Sequence, residues 1–125
     1  MSRVALTSVA QGVDDAFARA MTLAGADGVI SPGSTVLLKP NWNGVQHTGS
    51  TSLAVVQAAC RWAHDQGAGE VIVGEGPVPV GRERINTYLQ EMGLPDCLDA
   101  VGARFVLFDD DEHVIFYNHF DLPPE

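Results

Sequence analysis

The chain has 125 residues, 46% of them hydrophobic, and a formal net charge of −9. That length suits one domain of ordinary size and not two independent cores, and the hydrophobic content argues against wholesale disorder. With 16 acidic residues against 7 basic ones, the chain lacks the basic face of a non-specific nucleic-acid binder. It equally lacks a polybasic patch for anionic lipid.

Arg3 to Ser8 alternates weakly through Val4 and Leu6 and reads as a first strand. Val13, Ala16, Phe17, Ala20, Met21 and Ala24 then follow the one-face spacing of a helix, with Asp14 and Asp15 in the first turn where the helix dipole favours negative charge. Gly25 and Gly28 end it, and Ser31 to Ser34 is a turn. Thr35 to Leu38 is a short apolar run, expected as a strand buried on both faces and stopped by Lys39-Pro40. Asn41 to Ser50 is a polar loop. A second helix is expected from about Ser52 to Gln66, closed by Gly67-Ala68-Gly69. Val71 to Val73 is another buried-strand run, and Gly74-Glu75-Gly76-Pro77 opens a loop that ends at Gly81. A third helix covers Arg82 to Met92, and Pro95 to Val101 forms a short helical turn. Arg104 to Phe108 is a further strand, Asp109 to Glu112 an acidic turn, and Val114 to Tyr117 a last, shorter strand.

Strands alternating with helices at this spacing are β-α-β units. The expectation is one α/β domain over residues 1–125, a three-layer, Rossmann-like sandwich with a mostly parallel sheet of about four to five strands. The chain ends soon after its last strand, so an uncovered sheet edge is expected.

Cys60 and Cys97 make no disulfide framework, and no Cys-x-x-Cys supplies zinc or iron–sulfur ligands. Neither a signal pattern nor a run of roughly 20 apolar residues is present, so the cytoplasm is the expected compartment and no membrane is expected as a partner.

Ligands of open parallel sheets bind beyond the carboxyl ends of the strands, and two loops reach that edge here. The first runs from Lys39 through Asn41, Trp42, Asn43 and His47 to Ser50, Thr51 and Ser52; the second is Gly74-Glu75-Gly76-Pro77. Lys39 is the only lysine in the chain. Its base belongs to a buried strand and its head to the crevice, as an anchor for a carboxylate or phosphate or as a general base, against the plainer reading of a snorkelling surface residue. Asn41 and Asn43 suit ligand hydrogen bonds or turn chemistry. Trp42 either stacks a planar ligand or caps the core. One hydroxyl of Ser50 to Ser52 must cap the second helix; the others, with the free amides, form an anion site. His47 is an acid/base group or a plain surface residue.

Gly74 and Gly76 begin a Gly-x-Gly whose third glycine, Gly81, comes too late for a dinucleotide fingerprint. Arg82-Glu83, Pro77 and Pro79 likewise rule out a phosphate loop. That turn presents Glu75 as a general base, a metal ligand or a solvent-facing charge. Asp109 to His113 resembles a metal cluster, but a solvated acidic turn suits consecutive residues better, and no metal is assigned.

The run Val36 to Asn41, then Thr51-Ser52 opening a helix, then Gly67 to Pro77, resembles the domain of unknown function 362 family. That family shows a strand ending in Lys-Pro-Asn, a Thr/His/Pro-containing helix start, and a Gly-Ala-x-x-Val-x-Val-Gly-[Asp/Glu] strand and loop. The resemblance spans about residues 4 to 110 and carries over Lys39, Asn41, Thr51 and Glu75. It implies an association with iron–sulfur modules, while the family's reaction is unassigned. Thr51-Ser52-Leu53 lacks the usual histidine-proline pair, no cluster-binding cysteines are present, and the family continues into a second segment bearing lysine and histidine. The chain is therefore expected to be the N-terminal portion of a longer family domain.

Two function classes follow. In the first, Lys39 and Glu75 act as the catalytic pair, with Asn41, Asn43, His47, Thr51, Ser52, Gly74 and Gly76 around a small anionic ligand, as part of an iron–sulfur-associated redox enzyme. In the second, the domain is a non-catalytic or truncated interaction module that pairs through its sheet edge with a second copy or a missing C-terminal half. No cofactor is assigned from either reading.

Overall fold

A computed structural model describes residues 3–42, 49–76 and 82–108. Its order is α1 (Val13–Ala24), β1 (Thr35–Leu38), α2 (Leu53–Asp65), β2 (Glu70–Glu75), α3 (Arg82–Glu91), α4 (Leu94–Asp99) and β3 (Arg104–Leu107). The protein is a mixed α/β fold around a three-stranded, all-parallel sheet of order β1-β2-β3. Thr35 pairs with Glu70 and Leu38 with Val73, while Ile72 pairs with Arg104 and Glu75 with Leu107.

Helix starts and stops follow local chemistry. Ser52 caps α2, its hydroxyl accepting from the Val55 N–H at 3.4 Å. Gly25, in the left-handed conformation at φ 83°, closes α1 with its N–H directed at the Met21 and Thr22 carbonyls. The α2–β2 connection passes close to the turn before β1. A Cβ on Gly69 would stand 2.7 Å from the Gly33 carbonyl oxygen, so only glycine fits that approach.

The core lies on one face of the sheet. Val71, Val73 and Leu107 from the strands meet Val56, Cys60 and Ala63 of α2, Ile85 and Leu89 of α3, and Leu94 and Leu98 of α4. Val36, Leu38 and Phe105 pack against the same cluster, and their alternates Leu37, Ile72 and Val106 stand outside it. α1 lies against α2, with the Phe17 and Trp62 rings edge to face at 6.2 Å between centroids.

Three sequence expectations change. Arg3–Ser8 is not a strand: Val4 and Leu6 are 91% and 92% exposed, and the Thr7 hydroxyl donates to the Ala16 carbonyl instead. A strand needs a neighbour to satisfy its backbone, and this segment lies along α1, away from any described strand. β1 is not buried on both faces: among the described residues it is an edge strand, and Leu37 is 55% exposed. Finally, the described residues form three strands rather than four to five; the expected strand Val114–Tyr117 and the acidic turn before it lie outside the described residues. Among the described residues no helix is long and apolar enough to cross a membrane.

Candidate functional site

At the carboxyl end of the sheet, β1 delivers Lys39 and β2 delivers Glu75 to the same place. The Lys39 Nζ donates to Glu75 Oε1 at 2.7 Å and to its neighbour's carbonyl, Pro40 O, at 3.3 Å. Glu75 is only 3% exposed, and its other contacts come from the backbone. Trp42 N–H donates to Oε2 at 3.0 Å and Gly76 N–H to Oε1 at 2.8 Å. A buried carboxylate supported by one ammonium and two amides is fully partnered. Glu75 is thus not the solvent-facing charge that its loop position allowed. Alternation along β2 explains its burial, because Val71, Val73 and Glu75 point to the same, core-facing side.

Trp42 is 1% exposed, packed in the core rather than available to stack on a ligand. Its indole N–H donates to the Thr51 carbonyl at 2.8 Å. Asn41 ties the loop at three points: its N–H to the Thr51 hydroxyl at 3.0 Å, its carbonyl from the Thr51 N–H at 3.0 Å, and its side-chain amide to the Gly49 carbonyl at 2.9 Å. The Tyr88 hydroxyl donates to Ser50 Oγ at 3.2 Å, which brings α3 to the same corner.

Lys39, Glu75, Asn41, Thr51 and Gly76 therefore form one connected network, and Ser52 borders it as the cap of α2. Gly74 stands apart on the other face of the sheet, where a Cβ would collide with the Phe108 ring. Asn43 and His47 lie outside the described residues, as does the acidic cluster Asp109–His113. Sequence reasoning missed the backbone amides of Trp42 and Gly76 as partners of Glu75; only the turn geometry brings them there.

Beside the network a groove of about 230 Å³ runs between β1 and α2, lined by Leu37, Leu38, Lys39, Pro40, Thr51, Val55, Val56 and Ala59. Lys39 is the cation at its end, with its side chain 55% exposed. An ammonium carries three donors; two are directed at Glu75 and Pro40, which leaves one for the groove.

Iron–sulfur chemistry does not fit these residues. Cys60 and Cys97 are both buried in the helical layer, and a cluster takes about four thiolates. Burial, with the nearby Cys97 thiol adding to it, pushes the Cys60 thiol from 9.0 up to about 11, which disfavours the thiolate that a metal needs. Among the described residues no group of three or more His, Cys, Asp or Glu side chains is placed to hold a metal ion.

No curated protein and no solved structure matches this chain. One family does, the Domain of unknown function (DUF362), over residues 36–121. The matched stretch begins at β1 and includes the Lys-Pro-Asn strand end, the α2 start and the β2–Glu75 turn. On that match, which covers most of its length, the chain belongs to the DUF362 family.

Proposed function

We propose that this domain binds a small anionic molecule at the carboxyl edge of its sheet, with Lys39 as the direct contact. One observation carries the reading: a half-exposed ammonium, held at 2.7 Å by a buried carboxylate, stands at the end of a groove bordered by Thr51. In this reading Glu75 is a positioning residue. Its oxygens are occupied by Lys39, Trp42 and Gly76, so it aims the ammonium rather than taking a proton. Asn41 and Thr51 hold the loop against the start of α2, and that ordering lowers the entropy lost when a ligand docks. Any iron–sulfur centre associated with such a domain then draws ligands from outside these 125 residues.

The test is a titration of the protein with inorganic phosphate, and separately with acetate, followed by backbone amide NMR. Shifts should cluster at Lys39–Trp42 and Ser50–Leu53 and vanish in Lys39→Met. Shifts that persist in Lys39→Met, or that fall elsewhere, would sink the reading.

A further inference from the structure

Two unsatisfied features of opposite kind sit on this chain without meeting. One is an open strand edge. Among the described residues β1 pairs with β2 on one side only, and the groove on its other side is lined by Leu37, Leu38, Val55 and Ala59. Leu37 and Val55 are 55% and 37% exposed. The outward backbone groups of such an edge are a template for another strand. The other feature is a strand-patterned segment with no sheet. Val4 and Leu6 have the spacing of one strand face and are among the most exposed large apolar residues, at 91% and 92%. Among the described residues, the backbone of Arg3–Ser8 bonds to no strand.

The same chain cannot join the two in the arrangement seen. Thr7 fixes the segment to α1 through the Ala16 carbonyl, and the Arg3 guanidinium lies against Gly25 at the far end of that helix. α1 packs on α2, so Val4 and Leu6 are presented to water rather than to their own β1. A second copy carries both missing partners.

We propose that Arg3–Ser8 of one copy adds as a strand to the free edge of β1 in another, placing Val4 and Leu6 in the groove. Main-chain hydrogen bonds supply the attraction and the groove selects the alternate side chains. Mutual exchange, each copy giving one strand and receiving one, closes a two-fold pair in which both β1 edges are covered. Both copies carry a net charge of −9, so added salt, which screens that repulsion, strengthens the pair. The strand would use the groove wall along β1 and none of the hydrogen bonds of the Lys39 network, although both readings share the one groove.

The test is light scattering on the full chain over a concentration series, with circular dichroism to show that every variant is folded. Wild type should reach the mass of two chains. Val4→Asp/Leu6→Asp, which spoils the strand given, and Leu37→Lys, which spoils the edge that receives it, should each stay at one. Mixing those two variants should restore a mixed pair, because each retains the half the other lacks. A wild type that stays at one chain, including by pairing the segment with its own β1, would overturn the proposal. So would a Val4→Asp/Leu6→Asp variant that still pairs. The phosphate response separates the two readings: at concentrations where wild type is a single chain, the double variant should match it, because Val4 and Leu6 lie outside the Lys39 network.

Discussion

β2 carries a glutamate at each end, and the two make ion pairs of the same length. Glu75 meets Lys39 at 2.7 Å and Glu70 meets Arg104 at 2.7 Å. Their surroundings differ. Glu75 is 3% exposed and accepts from two backbone amides besides Lys39. Glu70 is 45% exposed, and its further partner is the Thr35 hydroxyl at 3.2 Å. Distance therefore says little about what either pair contributes. The side of the sheet decides: Glu75 shares the core face with Val71 and Val73, while Glu70 lies on the opposite face, away from the core cluster. An exposed pair is screened and mobile, whereas a buried carboxylate must keep every donor it has.

The strongest way to break this contrast is Glu75→Ala. It strands the buried Trp42 amide and the Gly76 amide and should cost about 3 kcal/mol or more, read as a lower urea midpoint. Lys39→Met is expected to cost less, about 1–2 kcal/mol, because both amides still hold the carboxylate and the ammonium is half in water. A buried ionisable group whose burial outweighs the favourable contacts it has supplies the third case. Cys60 is 0% exposed and its thiol is pushed up to about 11. The folded state therefore keeps a proton that the unfolded chain loses from about pH 9 upward. Its contribution to stability is complete below that point and is lost as pH rises toward about 11. Cys60→Ala should flatten that alkaline slope in pH-dependent urea melts.

The smallest effect belongs to Arg104→Met, which should leave the neutral-pH midpoint within error of wild type. Arg104 holds the Glu70 carboxyl below its usual 4.5, with burial opposing and Thr35 assisting. What the pair adds is present above 4.5 and is lost as pH falls through the lowered value. Any residual difference between the two proteins should therefore be confined to low-salt buffer above pH 4.5, and added salt should erase it.

Much of this was legible in the residues. The helical spacing of Val13 to Ala24 marks α1 at its observed bounds, and the run Ser50 to Ser52 marks the start of α2, with Ser52 as the residue that caps it. The meeting of Lys39, Asn41, Thr51 and Glu75 follows from placing strand ends at one sheet edge. The burial of Glu75 was also within reach, since alternation from Val71 and Val73 puts it on the core side. Two features were not. Arg3–Ser8 has the pattern of a strand, but whether a neighbour pairs with it is a tertiary fact that alternation cannot supply. The same holds for β1: an apolar run looks alike at the centre of a sheet and at its edge, and the exposure of Leu37 depends on what the rest of the molecule covers.

The placement of Trp42 has a practical consequence. Its backbone is held by Glu75 and its indole by Thr51, so one fluorophore is wired to both loops of the edge. A change in the charge or position of Lys39 reaches that indole through a single shared carboxylate. The site thus carries its own optical reporter, and Trp62→Phe, which removes the other indole from the spectrum, leaves an emission that reads this corner of the molecule alone.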